Sequence, residues 1–93
     1  MPAEAFRDAK KVVELEPYWF KGYQRLALAL HAMTWYEAAI INYMRALEFE
    51  PDNEALKKGL ADAKSDSRKK EESHRKTNSQ AQERNENQNL TED

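Results

Sequence analysis

The sequence contains no cysteine, so it carries no disulfide frame, no thiolate nucleophile and no cysteine-rich zinc site. Glycine is nearly as scarce: Gly22 and Gly59 are the only two, which excludes a glycine-rich loop able to cradle phosphate. Serine does not occur before Ser65, and this removes the usual nucleophiles of acyl transfer from the apolar part of the chain. His31 is the sole histidine there, too few for a typical metal site. No apolar run approaches the ~18 residues of a membrane span, and the start Met1-Pro2-Ala3-Glu4 does not read as a signal peptide. Charge of one sign is lacking too. Lys and Arg number 9 against 10 Asp and Glu over residues 1–64, and 6 against 7 over 65–93, so neither half is a basic nucleic-acid arm or an acidic tail. The expectation is a soluble, cytoplasmic, non-catalytic protein without cofactor, bound metal, nucleic-acid partner or membrane partner.

What the chain does have is a period. Leu15-Glu16-Pro17 recurs as Phe49-Glu50-Pro51, with the two prolines 34 positions apart. Periods of this size mark helix–turn–helix arrays, in which each unit leaves an apolar face that only its neighbours bury. Proline cannot continue a helix and disfavours helical backbone in the residue before it, so Pro17 and Pro51 each end one.

Four helices are expected. Over residues 3–16, Ala5, Phe6, Ala9, Val12 and Val13 form one apolar stripe at helical spacing. Residues 18–32 carry the stripe Tyr23, Leu26, Ala27 and Leu30, and Thr34 and Trp35 form the turn that follows. Residues 36–49 bring Tyr36, Ala39, Ile40, Tyr43, Ala46, Leu47 and Phe49 inward, with alanines small enough to let helix backbones approach closely. Asp52 or Asn53 can cap a last helix over about 53–64, with the narrow stripe Leu56, Leu60 and Ala63. From Ser65 to Asp93 the only apolar residues are Ala81 and Leu90, too few to repay the entropy of ordering. The last helix is expected to fray into the Arg68-Lys69-Lys70 stretch, with disorder beyond His74.

The unit between the prolines resembles a tetratricopeptide repeat. Tyr23, Leu26, Ala27 and Leu30 match the pattern of that family's first helix, and Tyr36, Ala39, Tyr43, Ala46 and Pro51 match its second. The resemblance implies an all-α fold of about one and a half repeats. Residues 1–17 are the second helix of a truncated repeat, 18–51 a complete unit, 52–64 a capping helix and 65–93 a polar, disordered tail. About three repeats are normally needed for independent stability, so Met1 is expected to begin a fragment, a short isoform or a remnant of a longer array. Helix 3–16 would then leave an open face through which the chain could self-associate.

Trp19-Phe20-Lys21-Gly22-Tyr23-Gln24-Arg25 narrows the resemblance. It looks like the third repeat of the co-chaperone domains that clamp the acidic C-terminus of heat-shock chaperones. In that class the lysine and arginine hold the carboxylates of a terminal aspartate, a role that Lys21 and Arg25 inherit by position. Trp19, Gln24 and Leu28 are secondary candidates for peptide contact. The family's clamp also uses a lysine and an asparagine of its first repeat and an asparagine of its second. Those positions would precede Met1, so only part of the clamp is expected here. Two alternatives remain open: a scaffold or oligomerising fragment without clamp activity, and a non-functional remnant. Trp35 is either an exposed aromatic anchor or folds back over the helix ends, His31 reads as a polar boundary residue, and the tyrosines read as packing residues.

Overall fold

The chain folds into four helices: α1 (Pro2–Leu15), α2 (Phe20–Ala32), α3 (Tyr36–Phe49) and α4 (Glu54–Glu92). The computed structural model describes the side chains of residues 1–73. Each helix packs on the next in chain order, and α2 also touches α4. This is the stacking expected of a helical repeat, where neighbours in sequence cover one another.

Small residues form the centre. Ala27, Ala39, Ala46 and Ala63 are each 0% exposed, as is Leu56, while Tyr43 is 2% exposed. Alanine at the crossings brings the helix backbones close, and the few large side chains fill what remains. The expected stripe of α4 is present, with Leu56 and Ala63 buried and Leu60 half-buried against the core. α1 is covered least: Ala9 is its only buried residue, Phe6, Val12 and Val13 are half-buried, and Ala5 is exposed. Not every tyrosine packs inside. Tyr18 is 81% exposed, touching Phe49 only edge to face, which corrects its assignment as a packing residue.

The turns have specific chemistry. The Tyr23 hydroxyl donates to the Pro17 carbonyl at 2.7 Å and ties down the α1–α2 turn. Asn53 is the cap of α4, its Oδ1 accepting the Leu56 backbone N–H at 3.1 Å. Between α2 and α3, Thr34 has φ 64, in the left-handed region. The Trp35 N–H bonds the Leu30 carbonyl at 2.9 Å and the Thr34 N–H bonds that of His31 at 3.0 Å. That pair of bonds is a Schellman termination, whose left-handed position favours glycine. A β-branched residue there is strained by about 1–2 kcal/mol. Thr34→Gly is therefore expected to raise the melting midpoint, by roughly 4–8 °C per kcal/mol recovered in a domain of this size. A midpoint that falls or stays put would show that Thr34 contributes something its backbone strain does not reveal.

α4 does not stop at Lys64, where apolar periodicity ends: residues 65–73 are helical. Asp66 and Lys70, four apart and so on one helix face, explain this. The Asp66 carboxylate meets His31 Nε2 at 2.7 Å. Lys70 donates to the Thr34 carbonyl at 3.2 Å and lies over the Tyr36 ring at 5.7 Å. His31 is thus a polar boundary residue, held at the end of α2 by α4. The disorder expected beyond His74 falls outside the described residues.

Burial, with the Asp62 carboxylate adding to it, pushes the Tyr43 phenol up from its ordinary 10.0. The unfolded phenol therefore ionises first as pH rises. Stability from this group is complete below about pH 10 and is lost as pH climbs through the raised folded value. Melting midpoints should fall as pH rises past about 10, and Tyr43→Phe should flatten that fall. An equally steep fall in the phenylalanine variant would contradict a role for this group.

Candidate peptide-binding face

Lys21, Arg25 and Leu28 succeed one another at i, i+4 and i+7 along α2, so they share one face. The face opposite is fixed by Tyr23, Leu26, Ala27 and Leu30, all buried against the neighbouring helices. Amphipathicity of α2 therefore turns the lysine and arginine outward, and both are exposed. Among the described residues neither cation has an ion-pair partner.

Trp19 supports this face from just before the helix. It has extended backbone, φ −97 and ψ 111, and its carbonyl accepts the Gly22 N–H at 3.1 Å. The Arg25 guanidinium lies 5.2 Å from the centre of its ring. Stacking on an aromatic face is a weak attraction at an exposed site, about 0.5–1 kcal/mol. It restricts where the planar fork of Arg25 points while leaving its N–H groups available to an anion. Gln24 is half-buried, and Leu28, 54% exposed, lies on the far side of Arg25 beside α1. The five candidate residues thus fall into a charged part around Trp19, Lys21, Gln24 and Arg25, and an apolar part at Leu28.

Arg25 and Leu28 also border an open groove between α1 and α2, whose floor includes Ala5, Ala9, Val12 and Ala29. A second depression lies across the molecule, between the start of α3 and α4, lined by Trp35, Tyr36, Ser67 and Lys70. Trp35 is 54% exposed, yet its ring meets Phe6 edge to face at 6.2 Å, so it is both an exposed aromatic and a cover for α1. Among the described residues no group of His, Cys, Asp and Glu could hold a metal ion. No helix among them is long and apolar enough to cross a membrane.

No family model matches the chain. Curated relatives do. The Hsp70-Hsp90 organizing protein of Triticum aestivum is 47% identical over 62 residues, covering 67% of this chain and 11% of the relative. The small glutamine-rich tetratricopeptide repeat-containing protein 2 of Mycosarcoma maydis is 42% identical over 60 residues, covering 64% of this chain and 17% of that protein. Heat shock protein STI1 of Saccharomyces cerevisiae is 40% identical over 58 residues, covering 62% and 10%. The chain therefore spans between about a tenth and a sixth of the length of these relatives. A 34-residue period, buried alanines at the helix crossings and these identities agree: the chain belongs to the tetratricopeptide-repeat family.

Proposed function

We propose that this chain is a cytoplasmic, non-catalytic protein-interaction module that binds the acidic C-terminus of a heat-shock chaperone through Lys21 and Arg25. The observation that carries the reading is one outward face of α2 presenting two cations without ion-pair partners among the described residues, one of them stacked on Trp19. Arginine's planar fork matches a carboxylate, and lysine adds a point charge beside it. The name of the Triticum aestivum relative, Hsp70-Hsp90 organizing protein, agrees with such a ligand.

Salt tests the electrostatic part. Exposed charges are screened over about 8 Å at physiological ionic strength. Affinity for a short acidic peptide ending in aspartate should therefore fall steadily as salt is raised, as measured by calorimetry or fluorescence anisotropy. Binding indifferent to salt would place the ligand on apolar contacts and remove Lys21 and Arg25 from the site.

A further inference from the structure

α2 and α4 touch, and their contacts advance together along the chain. His31 near the end of α2 meets Asp66, and Thr34 just past that end meets Lys70, at separations of 35 and 36 residues. The two helices therefore run the same way, in a register close to the 34-residue period. One period after Lys21, Gln24, Arg25 and Leu28, which make the outward face of α2, stand Ala55, Lys58, Gly59 and Asp62. Ala55, Lys58 and Asp62 are exposed, so α4 continues the face that α2 begins. Gly59, the counterpart of Arg25, adds no side chain to it.

Lys58 is the cation on this second strip. Its neighbour Lys57 is engaged with Glu54 at 3.6 Å, whereas Lys58 has no ion-pair partner among the described residues. Asp62 stands one turn further on, level with Leu28, and would repel an acidic ligand there. The strip thus attracts an acid at the level of Gln24 and Arg25 and rejects one beyond it. Packed helices lie about 8–10 Å apart and an extended chain advances about 3.3 Å per residue, so a ligand held at Arg25 by its C-terminus brings roughly its third preceding residue level with α4.

We propose that Lys58 is a third cation of the peptide-binding face, taking the side-chain carboxylate of an acidic residue about three positions before the ligand's C-terminus. The proposal rests on the carboxylate reading of Lys21 and Arg25. On that basis the face reads two features of its ligand, the terminal charge on α2 and an internal acid on α4. Lysine suits the second task, because a mobile point charge needs no fixed orientation of its partner.

The probes are two peptides ending in aspartate with a free carboxylate, one with glutamate and one with glutamine three residues before that aspartate. Each is titrated into the full chain by fluorescence anisotropy at low salt. The glutamate peptide should bind about two- to fivefold more tightly, the span measured for exposed ion pairs. Lys58→Ala should abolish that difference and leave the affinity for the glutamine peptide unchanged, and Lys58→Glu should reverse the preference. Lys58 is exposed and unpaired, so neither variant should lower the melting midpoint by more than a degree or so. Equal affinities of the two peptides for the wild-type chain would overturn the role of Lys58, as would a preference for glutamate that survives Lys58→Ala. If amidation of the terminus still weakens both peptides, the carboxylate site at Lys21 and Arg25 stands without Lys58. Binding indifferent to amidation, or no binding of either peptide, would overturn both.

Discussion

Arg25→Ala should weaken binding of an acidic C-terminal peptide by about ten- to a hundredfold. A hydrogen bond to a charged partner is worth roughly 1.5–3 kcal/mol, and each 1.4 kcal/mol is a factor of ten. Two cations on one helix give a modest start, a Kd no better than about 100 μM or −5.5 kcal/mol, so the variant's binding should approach the limit of calorimetric detection. Arg25 is exposed, and its one aromatic contact is with Trp19 outside the core. The melting midpoint should therefore barely move, which separates a binding role from a folding role. Arg25→Lys keeps the charge and loses the bidentate fork, so it should fall between the wild type and the alanine variant. Equal affinities for the wild type, Arg25→Lys and Arg25→Ala, measured at one salt concentration, would remove this residue from the site.

The largest effect on stability should come from Gly59→Ala. Alanine is the better helix former by about 1 kcal/mol, so on propensity alone the change would stabilise α4. Space decides otherwise. A Cβ at Gly59 would lie 2.5 Å from Tyr43 Cε1, 2.6 Å from Cζ and 2.9 Å from the hydroxyl oxygen. Tyr43 is 2% exposed, so its ring is held on all sides and has no solvent to move into. Overpacking of this kind costs typically about 1–3 kcal/mol, with backbone shifts that loosen α4 from α3. A drop in the melting midpoint of several degrees is expected. Gly22→Ala is the comparison. Its Cβ would meet Val12 Cγ1 and Val13 Cγ2 at 3.3 Å, and both valines are half-buried on the thinly covered α1. They can yield, so the effect there should be small. Stabilisation by Gly59→Ala would mean that the Tyr43 ring moves freely and that the α3–α4 contact is looser than its burial suggests.

Most of the fold was legible in the sequence because its signals are local. Pro17 and Pro51 end helices by removing a donor and restricting their neighbours, and the apolar stripes repeat at helical spacing. α1 to α3 accordingly lie within a residue or two of their expected bounds. The continuation of α4 was harder to see. Its support comes from polar pairs distant in sequence, His31 with Asp66 and Thr34 with Lys70, separated by 35 and 36 positions. Hydropathy carries no trace of such pairs. Nor does a threonine advertise left-handed backbone, although the turn at Thr34 was placed correctly. Gly59 reads in the sequence as a weak point in a helix, and only the Tyr43 ring gives it a reason.

The candidate face divides in the same way. Spacing alone puts Lys21 and Arg25 on one side of α2, and the buried stripe opposite decides that this side is outward. The stacking of Arg25 on Trp19 was not readable from periodicity, because Trp19 precedes the helix and its ring is placed by extended backbone. The open groove of α1 and α2 was foreshadowed by the stripe on residues 3–16. Its floor became visible only when Ala29 of α2 joined Ala5, Ala9 and Val12 in one surface.

The measurement that bears most directly on the proposed function compares two peptides of one acidic sequence ending in aspartate, one with a free C-terminal carboxylate and one amidated. Amidation keeps every side chain and removes the terminal charge, so shape and the remaining acidity are held constant. If Lys21 and Arg25 hold that carboxylate, the amidated peptide should bind at least about tenfold more weakly, in line with the loss of one charge-assisted hydrogen bond. The difference should shrink in the Arg25→Ala chain, where half of the cationic pair is already gone. Equal binding of the free and amidated peptides to the wild-type chain would contradict the carboxylate site.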